Sequence, residues 1–487
     1  MKKRMIYSML LVLVVMASAC ESWLDVQPRT KIKSDDLFET EAGFKDALAG
    51  VYTLMKAESL YGRELTFGFL EAATGCYGYN SSAYYQLATG NPNWNYTSTV
   101  YRPMIDYMWI KMYNALANVN NLLDNIDNHE GVFAGDNYSI IKGEALGLRA
   151  FLHFDLLRLF SSATDLEKEA IPYVTSLQIE VPQVYSGKEV LGLLNEDIEE
   201  ALACLEKDPI REGNMNGFTE GDFLNKRQMH FNYFAVKALQ ARVALWGGDL
   251  KTAKNAANDV VTVAEKIFPW VDPDNASNNT LSQRDYAYAS EHIFALNVRN
   301  LKDLVEYWFM PDGNSNQLYM QTGTFNQYYE VGQGNNVGGV DYRQLYQRAD
   351  RVGGNYQLRK FYQPDKYSAD YAERIPLIRL AEMYYILAEC WMGEDDGKAL
   401  GYLNEVRRHR GITADLTEVN TLADELTKEY CKELLLEGQI FYYCKRKDMN
   451  KFPYYYKNFA NNKEAVYVLP LPDLEKEFGD YYSVENE

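Results

Sequence analysis

Cysteine and histidine are scarce in this chain, which has 6 cysteines and 5 histidines among 487 residues. The cysteines include no Cys-x-x-Cys pair, and the histidines lack a metal-ligand spacing such as His-Glu-x-x-His. The sequence therefore predicts no disulfide framework, no zinc site and no cofactor. We interpret three cysteines that lie in helical patterns as small buried hydrophobic residues: Cys204, Cys390 and Cys431.

Basic residues are also few, since 49 lysines and arginines stand against 68 acidic residues and give a formal net charge of -19 at pH 7. A surface this acidic repels the phosphates of nucleic acids and the headgroups of anionic lipids. We therefore expect no nucleic-acid partner. The charge excludes little else, because acidity also keeps a protein in solution.

Long apolar runs are missing except near the amino terminus, where residues 5–16 are almost wholly apolar. Three basic residues at positions 2–4 precede this run and three small residues at 17–19 follow it, which is the layout of a secretory signal. The run is too short for a transmembrane helix, which needs about 20 residues. We predict that residues 1–19 are a signal peptide.

Cys20 directly follows the small residues, and the sequence Ala-Ser-Ala-Cys resembles a bacterial lipobox. This resemblance implies cleavage before Cys20 and a diacylglycerol on its thiol. The acyl chains would then hold the protein at a membrane, since each buried methylene contributes about 0.8 kcal/mol. The alternative is an ordinary secretory peptide, cleaved after Ala19 and followed by an incidental cysteine.

A recurring helical hairpin is the clearest pattern in the rest of the chain. In residues 230–266, Phe234, Ala238, Ala241 and Leu245 fall on one helical face, and Gly247-Gly248-Asp249 then breaks the helix. Residues 376–410 repeat this scheme. Weaker copies pair 140–160 with 188–205, and 41–57 with 104–127.

These four helix pairs resemble tetratricopeptide units, although their spacing along the chain is irregular. Each pair leaves an apolar face that its neighbour must cover, so we expect the four to share one core. The predicted fold class is mainly α, with about four tetratricopeptide-like helix pairs and a large irregular, loop-rich inserted subdomain that contains a few short strands.

Two regions lack helical periodicity and are rich in glycine, asparagine and tyrosine: 74–103 and 268–374. An unstructured loop as long as the second region is uncommon in a compact domain, so we predict a folded insertion with its clearest strand at 292–298. The expected organisation is a signal peptide (1–19), an anchor and extended leader (20–40), helix pairs one to three (41–267), the insertion (268–374), and the fourth pair with the carboxy-terminal segment (375–487).

Tyrosine is abundant, with 39 residues, and many lie in the two non-helical regions. A tyrosine ring offers a flat apolar face and a hydroxyl at low entropic cost, which suits recognition of oligosaccharides. The ligand candidates are Trp94, Tyr96, Tyr84, Tyr85, Asn93, Trp308, Tyr319 and Tyr328. For any single ring the alternative is packing in the core, because large aromatic residues are usually well buried.

Four charged residues interrupt apolar helical patterns: Arg149, Arg379, Glu382 and Arg407. We interpret them as structural ion pairs between stacked helices, and the spacing of Arg379 and Glu382 would make these two neighbours. Nucleophile-elbow, phosphate-loop and dinucleotide motifs are missing from the sequence. We predict that the protein is not an enzyme, although its many carboxylates leave a lipid-anchored hydrolase as an alternative.

Several blocks of sequence, in order along the chain, carry a family resemblance: Cys20–Pro28, Ala49–Tyr52, Glu144–Phe160, Ile375–Tyr384, Asn404–Arg407 and Leu469–Pro472. They are similar to blocks of the SusD/RagB family of outer-membrane nutrient-binding lipoproteins from Bacteroidetes. The chain departs from the family pattern at Ser161–Asp165, where Gly-Asp-x-Pro is usual, and within 433–446.

This resemblance implies a protein on the outer face of the outer membrane, anchored there by the lipid on Cys20. It implies a SusC-like TonB-dependent barrel as partner and an oligosaccharide, or alternatively an oligopeptide, as ligand. It further implies that the helix pairs form the framework, while the insertion and the loops between early helices build the ligand side. A purely structural surface protein is a third alternative.

Overall fold

The computed structural model describes residues 36–79, 82–90, 93–177, 180–214, 222–310, 317–332, 337–351 and 354–481. The predicted signal peptide, the lipidation site Cys20 and the leader up to residue 35 lie outside the described residues. Those predictions therefore stay predictions.

Helices dominate the described residues. They are α1 (Glu41–Met55), α2 (Phe69–Ala73), α3 (Ala83–Thr89), α4 (Arg102–Ile126), α5 (Asn137–Phe160), α6 (Gly187–Cys204), α7 (Tyr233–Trp246), α8 (Leu250–Val261), α9 (Ala264–Ile267), α10 (Pro273–Ala276), α11 (Leu301–Phe309), α12 (Thr322–Tyr328), α13 (Tyr342–Tyr346), α14 (Leu380–Trp391), α15 (Asp396–Arg408), α16 (Leu422–Leu434), α17 (Gln439–Arg446), α18 (Lys463–Tyr467) and α19 (Asp473–Phe478). Within the described ranges, none of these helices combines the length and apolarity that a membrane span requires.

In the described ranges, seven short strands accompany the helices: β1 (Glu169–Pro172), β2 (Val184–Ser186), β3 (His292–Asn297), β4 (Met320–Gln321), β5 (Arg348–Arg351), β6 (Asn355–Leu358) and β7 (Arg374–Arg379). β1 pairs with β2 and β3 pairs with β7, while β4, β6 and β5 form a three-stranded sheet, and every pairing is antiparallel. The strand predicted at 292–298 is therefore confirmed as β3, which joins the insertion to the fourth helix pair through β7.

The four predicted helix pairs are present. They are α1 with α4, α5 with α6, α7 with α8, and α14 with α15. Successive pairs stack on one another, because α4 also packs on α5, α6 on α7, and α8 on α14. One continuous hydrophobic core runs through all four pairs and into the insertion. The mainly α fold class with about four tetratricopeptide-like pairs is thus confirmed.

Side-chain caps determine where the paired helices begin. Thr40 caps α1, and Ser186 caps α6 within a capping box. Between α7 and α8, Gly248 adopts a φ of 81°, and Asp249 accepts a hydrogen bond from the backbone N–H of Thr252 at 3.0 Å. Glycine tolerates positive φ and an aspartate cap stabilises a helix by about 1 kcal/mol, which explains the break predicted here.

The charged residues predicted to form structural ion pairs are all buried and paired: Arg149, Arg379, Glu382 and Arg407. Glu382 of α14 accepts a hydrogen bond from Nε of Arg242 in α7 at 2.6 Å, which joins the third pair to the fourth. The expected partnership of Glu382 with Arg379 was wrong. Arg379 lies in β7 and binds Glu433 of α16 instead, because Glu382 is already paired with Arg242.

A buried ion cluster joins the insertion to the fourth helix pair. Three arginines surround the carboxylate of Glu433, with Arg343 at 2.9 Å, Arg379 at 2.5 Å and Arg410 at 2.8 Å. Arg410 also binds Glu291 at 2.6 Å, just before β3. Despite the burial of Glu433, the arginine charges hold the pKa of its carboxyl well below the usual range. The carboxylate therefore stays ionised inside the protein.

His153 lies in the middle of α5 and is fully buried. Its Nδ1 lies 2.9 Å from the carbonyl oxygen of Arg149, and the backbone N–H of Val174 donates to its Nε2 at 3.0 Å. The ring also stacks on Tyr173, with 3.9 Å between the ring centroids. Because Nε2 accepts a hydrogen bond, the ring is neutral, and burial lowers the pKa of His153 to about 3.

We expect a His153→Gln variant to show a flatter dependence of stability on pH. The unfolded chain binds a proton at His153 below about pH 6.5, whereas in the folded chain the pKa is about 3. The contribution of the neutral His153 ring to the free energy of unfolding is therefore fully present above the pKa of the unfolded chain. It is lost as the pH falls below that pKa, by up to about 1.4 kcal/mol per pH unit. Urea unfolding at about pH 6.5 and about pH 5.5 measures this loss. Equal slopes in wild type and variant would contradict the assignment.

Candidate ligand-binding face

Three of the predicted ligand residues, Trp94, Tyr96 and Tyr328, lie in the core, where they are 5%, 4% and 1% exposed. The indole N–H of Trp94 donates to the carbonyl oxygen of Ala73 at 3.0 Å. The hydroxyl of Tyr96 donates to the carbonyl oxygen of Val466 at 2.7 Å. Rings enclosed in this way have no free face for a ligand. We therefore correct the expectation for these three residues and assign them to the core.

A Trp94→Phe variant is expected to lose about 1–2 kcal/mol of unfolding free energy, because the carbonyl of Ala73 loses its donor and the smaller ring leaves space among its neighbours. Those neighbours are the rings of Phe452, Tyr455 and Phe459. Affinity for polysaccharide should not change. Urea unfolding measures the stability, and calorimetric titration of the same preparation measures the affinity. Unchanged stability with weakened binding would mean that Trp94 contacts the ligand.

Tyr84 is also buried, but it supports a ring that reaches the surface. Its hydroxyl donates to the carboxylate of Glu64 at 2.7 Å, and its ring meets Trp308 edge-on with 5.1 Å between centroids. Arg63 binds Glu64 at 2.8 Å and places its guanidinium 5.4 Å from the centroid of Trp308. Burial, together with the charge of Glu64, keeps the pKa of Tyr84 well above its ordinary value. The hydroxyl therefore remains a donor, and Tyr84, Glu64 and the partly exposed Arg63 together fix the position of Trp308.

Six aromatic residues, which we group as the aromatic face, come from the 74–103 region, the insertion and the carboxy-terminal segment: Tyr79, Tyr85, Tyr307, Trp308, Tyr319 and Tyr456. The rings of Tyr79 and Tyr85 lie 5.1 Å apart, and those of Tyr307 and Trp308 lie 4.9 Å apart. The hydroxyl of Tyr319 donates to the backbone carbonyl of Tyr79. The insertion and the 74–103 region therefore meet at this patch.

Tyr456 lies at the edge of the aromatic face. Its ring is 4.7 Å from that of Tyr455, whose hydroxyl donates at 2.9 Å to the carbonyl of Ala88 in α3, the helix that carries Tyr85. Three rings of the face are open to solvent: Tyr79 is 66%, Tyr307 is 48% and Tyr456 is 76% exposed. These three rings therefore have faces that a ligand can reach.

Polar groups surround these rings. The guanidinium of Arg63 lies beside Trp308, and the exposed Gln321 follows Tyr319 by two residues. Lys457 lies 5.8 Å from the ring of Tyr456. The combination of flat apolar faces with amide and cationic donors can stack on the C–H side of a sugar ring and hydrogen-bond its hydroxyls.

Among the predicted ligand residues, the structure places Tyr85, Trp308 and Tyr319 on the aromatic face and leaves Asn93 half-buried. Sequence reasoning missed Tyr79, Tyr456 and Arg63 as site residues. One signal for Tyr79 was the glycine before it, since a Cβ at Gly78 would lie 2.5 Å from the ring of Tyr319. Glycine allows that close approach of backbone to ring, which holds Tyr79 beside Tyr319.

Metal binding finds no support within the described part of the chain, where no group of three or more histidine, cysteine or acidic side chains could hold an ion. The five cysteines of that part are all free: Cys76, Cys204, Cys390, Cys431 and Cys444. Four of them are buried and Cys204 is partly buried. Burial raises the pKa of the Cys390 thiol to about 12, so this thiol is unreactive at neutral pH.

Two family models match the sequence. One, described as the SusD family, matches residues 239–475, and the other, described as starch-binding and associating with the outer membrane, matches residues 22–208. Together they cover most of the chain. A curated relative, SusD-like protein P25 from Formosa agariphila, is 24% identical over 188 residues, which make up 38% of this chain and 33% of the relative. That match therefore spans about a third of the relative's length.

Solved structures share the fold along almost the whole chain. A putative sugar binding protein from Bacteroides vulgatus has a TM-score of 0.70 at 21% identity, covering 91% of this chain and 97% of its own. A SusD superfamily protein from Bacteroides thetaiotaomicron has a TM-score of 0.64 at 21% identity, with 90% and 98% covered. A SusD-like carbohydrate binding protein from Bacteroides vulgatus has a TM-score of 0.68 at 19% identity, with 91% and 98% covered. The shared architecture shows the fold, and the two family models, which together span most of the sequence, show that the chain belongs to the SusD/RagB family.

Proposed function

We propose that this protein is a cell-surface lipoprotein that captures oligosaccharide on its aromatic face and passes it to a SusC-like TonB-dependent barrel in the outer membrane. The observation that carries the proposal is the exposure of Tyr79, Tyr307 and Tyr456, with the half-buried Trp308 in contact with Tyr307. The three exposed rings come from distant parts of the chain, and contacts with Tyr84 and Arg63 hold Trp308 in place. A site that is ordered before its ligand arrives loses little entropy on binding.

The family description supports two parts of this proposal. The family model that matches residues 22–208, the part that carries Tyr79 and Tyr85, is described as starch-binding and associating with the outer membrane. The curated relative and two of the three solved structures carry SusD names, and two of the structures are named for sugar or carbohydrate binding. A lipid on Cys20, the barrel partner and the outward orientation belong to the proposal itself.

We further propose that the protein binds its ligand without chemical conversion. Glu64, the carboxylate that binds Tyr84 and Arg63 beside Trp308, is 1% exposed and accepts hydrogen bonds from Tyr84, Arg63 and the backbone N–H of Phe69. Burial raises the pKa of Glu64, yet its oxygens are turned towards these internal donors rather than towards a ligand. A glycosidase needs two carboxylates that reach the glycosidic bond from opposite sides.

Isothermal titration calorimetry against soluble polysaccharides and oligopeptides tests the binding claim. The proposal predicts saturable binding of at least one polysaccharide and no release of reducing ends from it. Binding of peptides alone would replace the sugar ligand with an oligopeptide. Hydrolysis products that disappear when one acidic residue is changed would instead favour the hydrolase. Mass spectrometry of the mature amino terminus tests lipidation of Cys20.

A further inference from the structure

A polar cleft of about 330 Å³ lies apart from the aromatic face, between the loop that follows α5 and the carboxy-terminal segment. Its lining includes Ser162 and Thr164 from the loop, and Lys445 and Tyr467 from α17 and α18. None of the six residues of the aromatic face contributes to it. Ligand pockets start at about 300 Å³, so this cleft suits one small molecule of monosaccharide size.

Lys445 is the unusual member of this lining, because it is only 2% exposed. Its Nζ donates to the carbonyl oxygen of Arg158 at 2.5 Å and lies 3.5 Å from that of Leu159, at the carboxyl end of α5. These contacts satisfy carbonyls that the helix leaves free, and they leave one N–H of the ammonium group for another acceptor. Burial and the nearby charge of Arg158 hold the pKa of Lys445 well below its ordinary value.

The other lysines of the cleft already have carboxylate partners. Lys168 binds Glu464 at 3.3 Å, and Lys463 binds Asp448 at 2.6 Å. Among the described residues, no carboxylate lies within ion-pair distance of Lys445. The charged form of Lys445 therefore lacks a counterion in this cleft, unlike Lys168 and Lys463. A buried cation without an anion is costly, and an anionic ligand would remove that cost.

We propose that this cleft is a second ligand site, which binds a sugar that carries a carboxylate, such as a uronic acid. The carboxylate of the ligand would accept the remaining N–H of Lys445, while the hydroxyls of Ser162 and Thr164 and the charged rim hydrogen-bond the sugar hydroxyls. The inference goes beyond the proposed function, because it concerns a separate cleft with its own chemistry.

Binding at this cleft is coupled to protonation. A bound carboxylate favours the charged form of Lys445, so the pKa of Lys445 rises when the ligand binds. The other charged groups of the cleft are Asp165 and Lys168 on the loop, and Asp448, Lys463 and Glu464 on the carboxy-terminal segment, while Arg158 on α5 lies beside Lys445 and its sequence neighbours Arg446 and Lys447 pair with Glu389.

Calorimetric titration with glucuronate and galacturonate tests the proposal. We expect uronate binding, and affinity for glucose and galactose lower by about 10-fold or more, which corresponds to the loss of a charge-assisted hydrogen bond. Equal binding of uronates and neutral sugars, or no uronate binding at all, would overturn it.

Two variants locate the site. Lys445→Met removes the cation, and Ala163→Trp fills the cleft from its loop while leaving Lys445 in place, which covers the case in which the first variant does not fold. Each is expected to weaken uronate binding by about 10-fold or more. The double variant Tyr79→Ala/Trp308→Ala should leave uronate binding unchanged. Loss of uronate binding in that double variant, with retention in Ala163→Trp, would overturn the cleft site without touching the proposed function.

Discussion

Replacing Arg410 with methionine is expected to lower the free energy of unfolding by about 3–5 kcal/mol, since removal of one partner from a buried ion pair leaves an uncompensated charge. Arg410 is fully buried and binds two carboxylates, Glu291 at 2.6 Å and Glu433 at 2.8 Å. In the variant, Glu291 keeps only the backbone N–H of Val271, at 3.0 Å. Methionine replaces much of the volume of the arginine, so the loss reports charge rather than a cavity.

The cost is large because Arg410 ties together segments that are far apart in sequence. It follows α15, while Glu291 precedes β3 in the insertion and Glu433 lies in α16. The backbone carbonyl of Arg410 also accepts a hydrogen bond from the N–H of Tyr342 at 2.9 Å. Loss of the side chain therefore weakens the contact between the insertion and the fourth helix pair.

Arg408→Met is the matched control, two residues away. The side chain of Arg408 is 47% exposed and pairs with Asp415 and with Glu405, the latter at 3.2 Å. Exposed pairs contribute roughly 0–1 kcal/mol, so this variant should remain close to wild type in urea unfolding. Similar losses in both variants would contradict the distinction between the buried ion cluster and the surface pairs.

The double variant Tyr79→Ala/Trp308→Ala is expected to weaken polysaccharide binding by about 100-fold or more. Truncation of an aromatic anchor at the centre of a binding surface costs at least about 2 kcal/mol, and every 1.4 kcal/mol is tenfold in affinity. Tyr79 comes from the 74–103 region and Trp308 comes from α11, so the two rings belong to different segments of the chain. Their loss removes flat surface on both sides of the ligand.

Tyr107→Ala provides the control for exposure alone. Tyr107 is 55% exposed, comparable to Tyr79, but it lies on α4 of the helix scaffold. Calorimetry should give wild-type affinity for this variant, and urea unfolding should show that both proteins remain folded. Equal weakening by both changes would mean that the binding surface is not the aromatic face.

The helical framework follows from local sequence. Phe234, Ala238, Ala241 and Leu245 mark the buried side of α7, and the break at residues 247–249 has the glycine and the capping aspartate that its backbone needs. Such signals act within a few residues, so they can be read without knowing the tertiary structure. The four pairs and the strand β3 were predicted for this reason.

The binding face could be predicted only in part, because it depends on long-range packing. Trp94 and Tyr85 look alike in sequence, since both are aromatic residues in a loop-rich region. The structure buries Trp94 against Phe452 and Phe459 of the carboxy-terminal segment, and leaves Tyr85 beside the exposed Tyr79. No local pattern distinguishes a ring that a distant segment will cover from one that remains open.

The most direct test of the account is a crystal structure of the protein soaked with an oligosaccharide from whichever polysaccharide binds it. The account predicts sugar rings within about 4.5 Å of the rings of Tyr79, Tyr307 or Trp308, the distance at which apolar groups are in contact. An oligosaccharide bound elsewhere on the protein, with these rings still facing solvent, would contradict it.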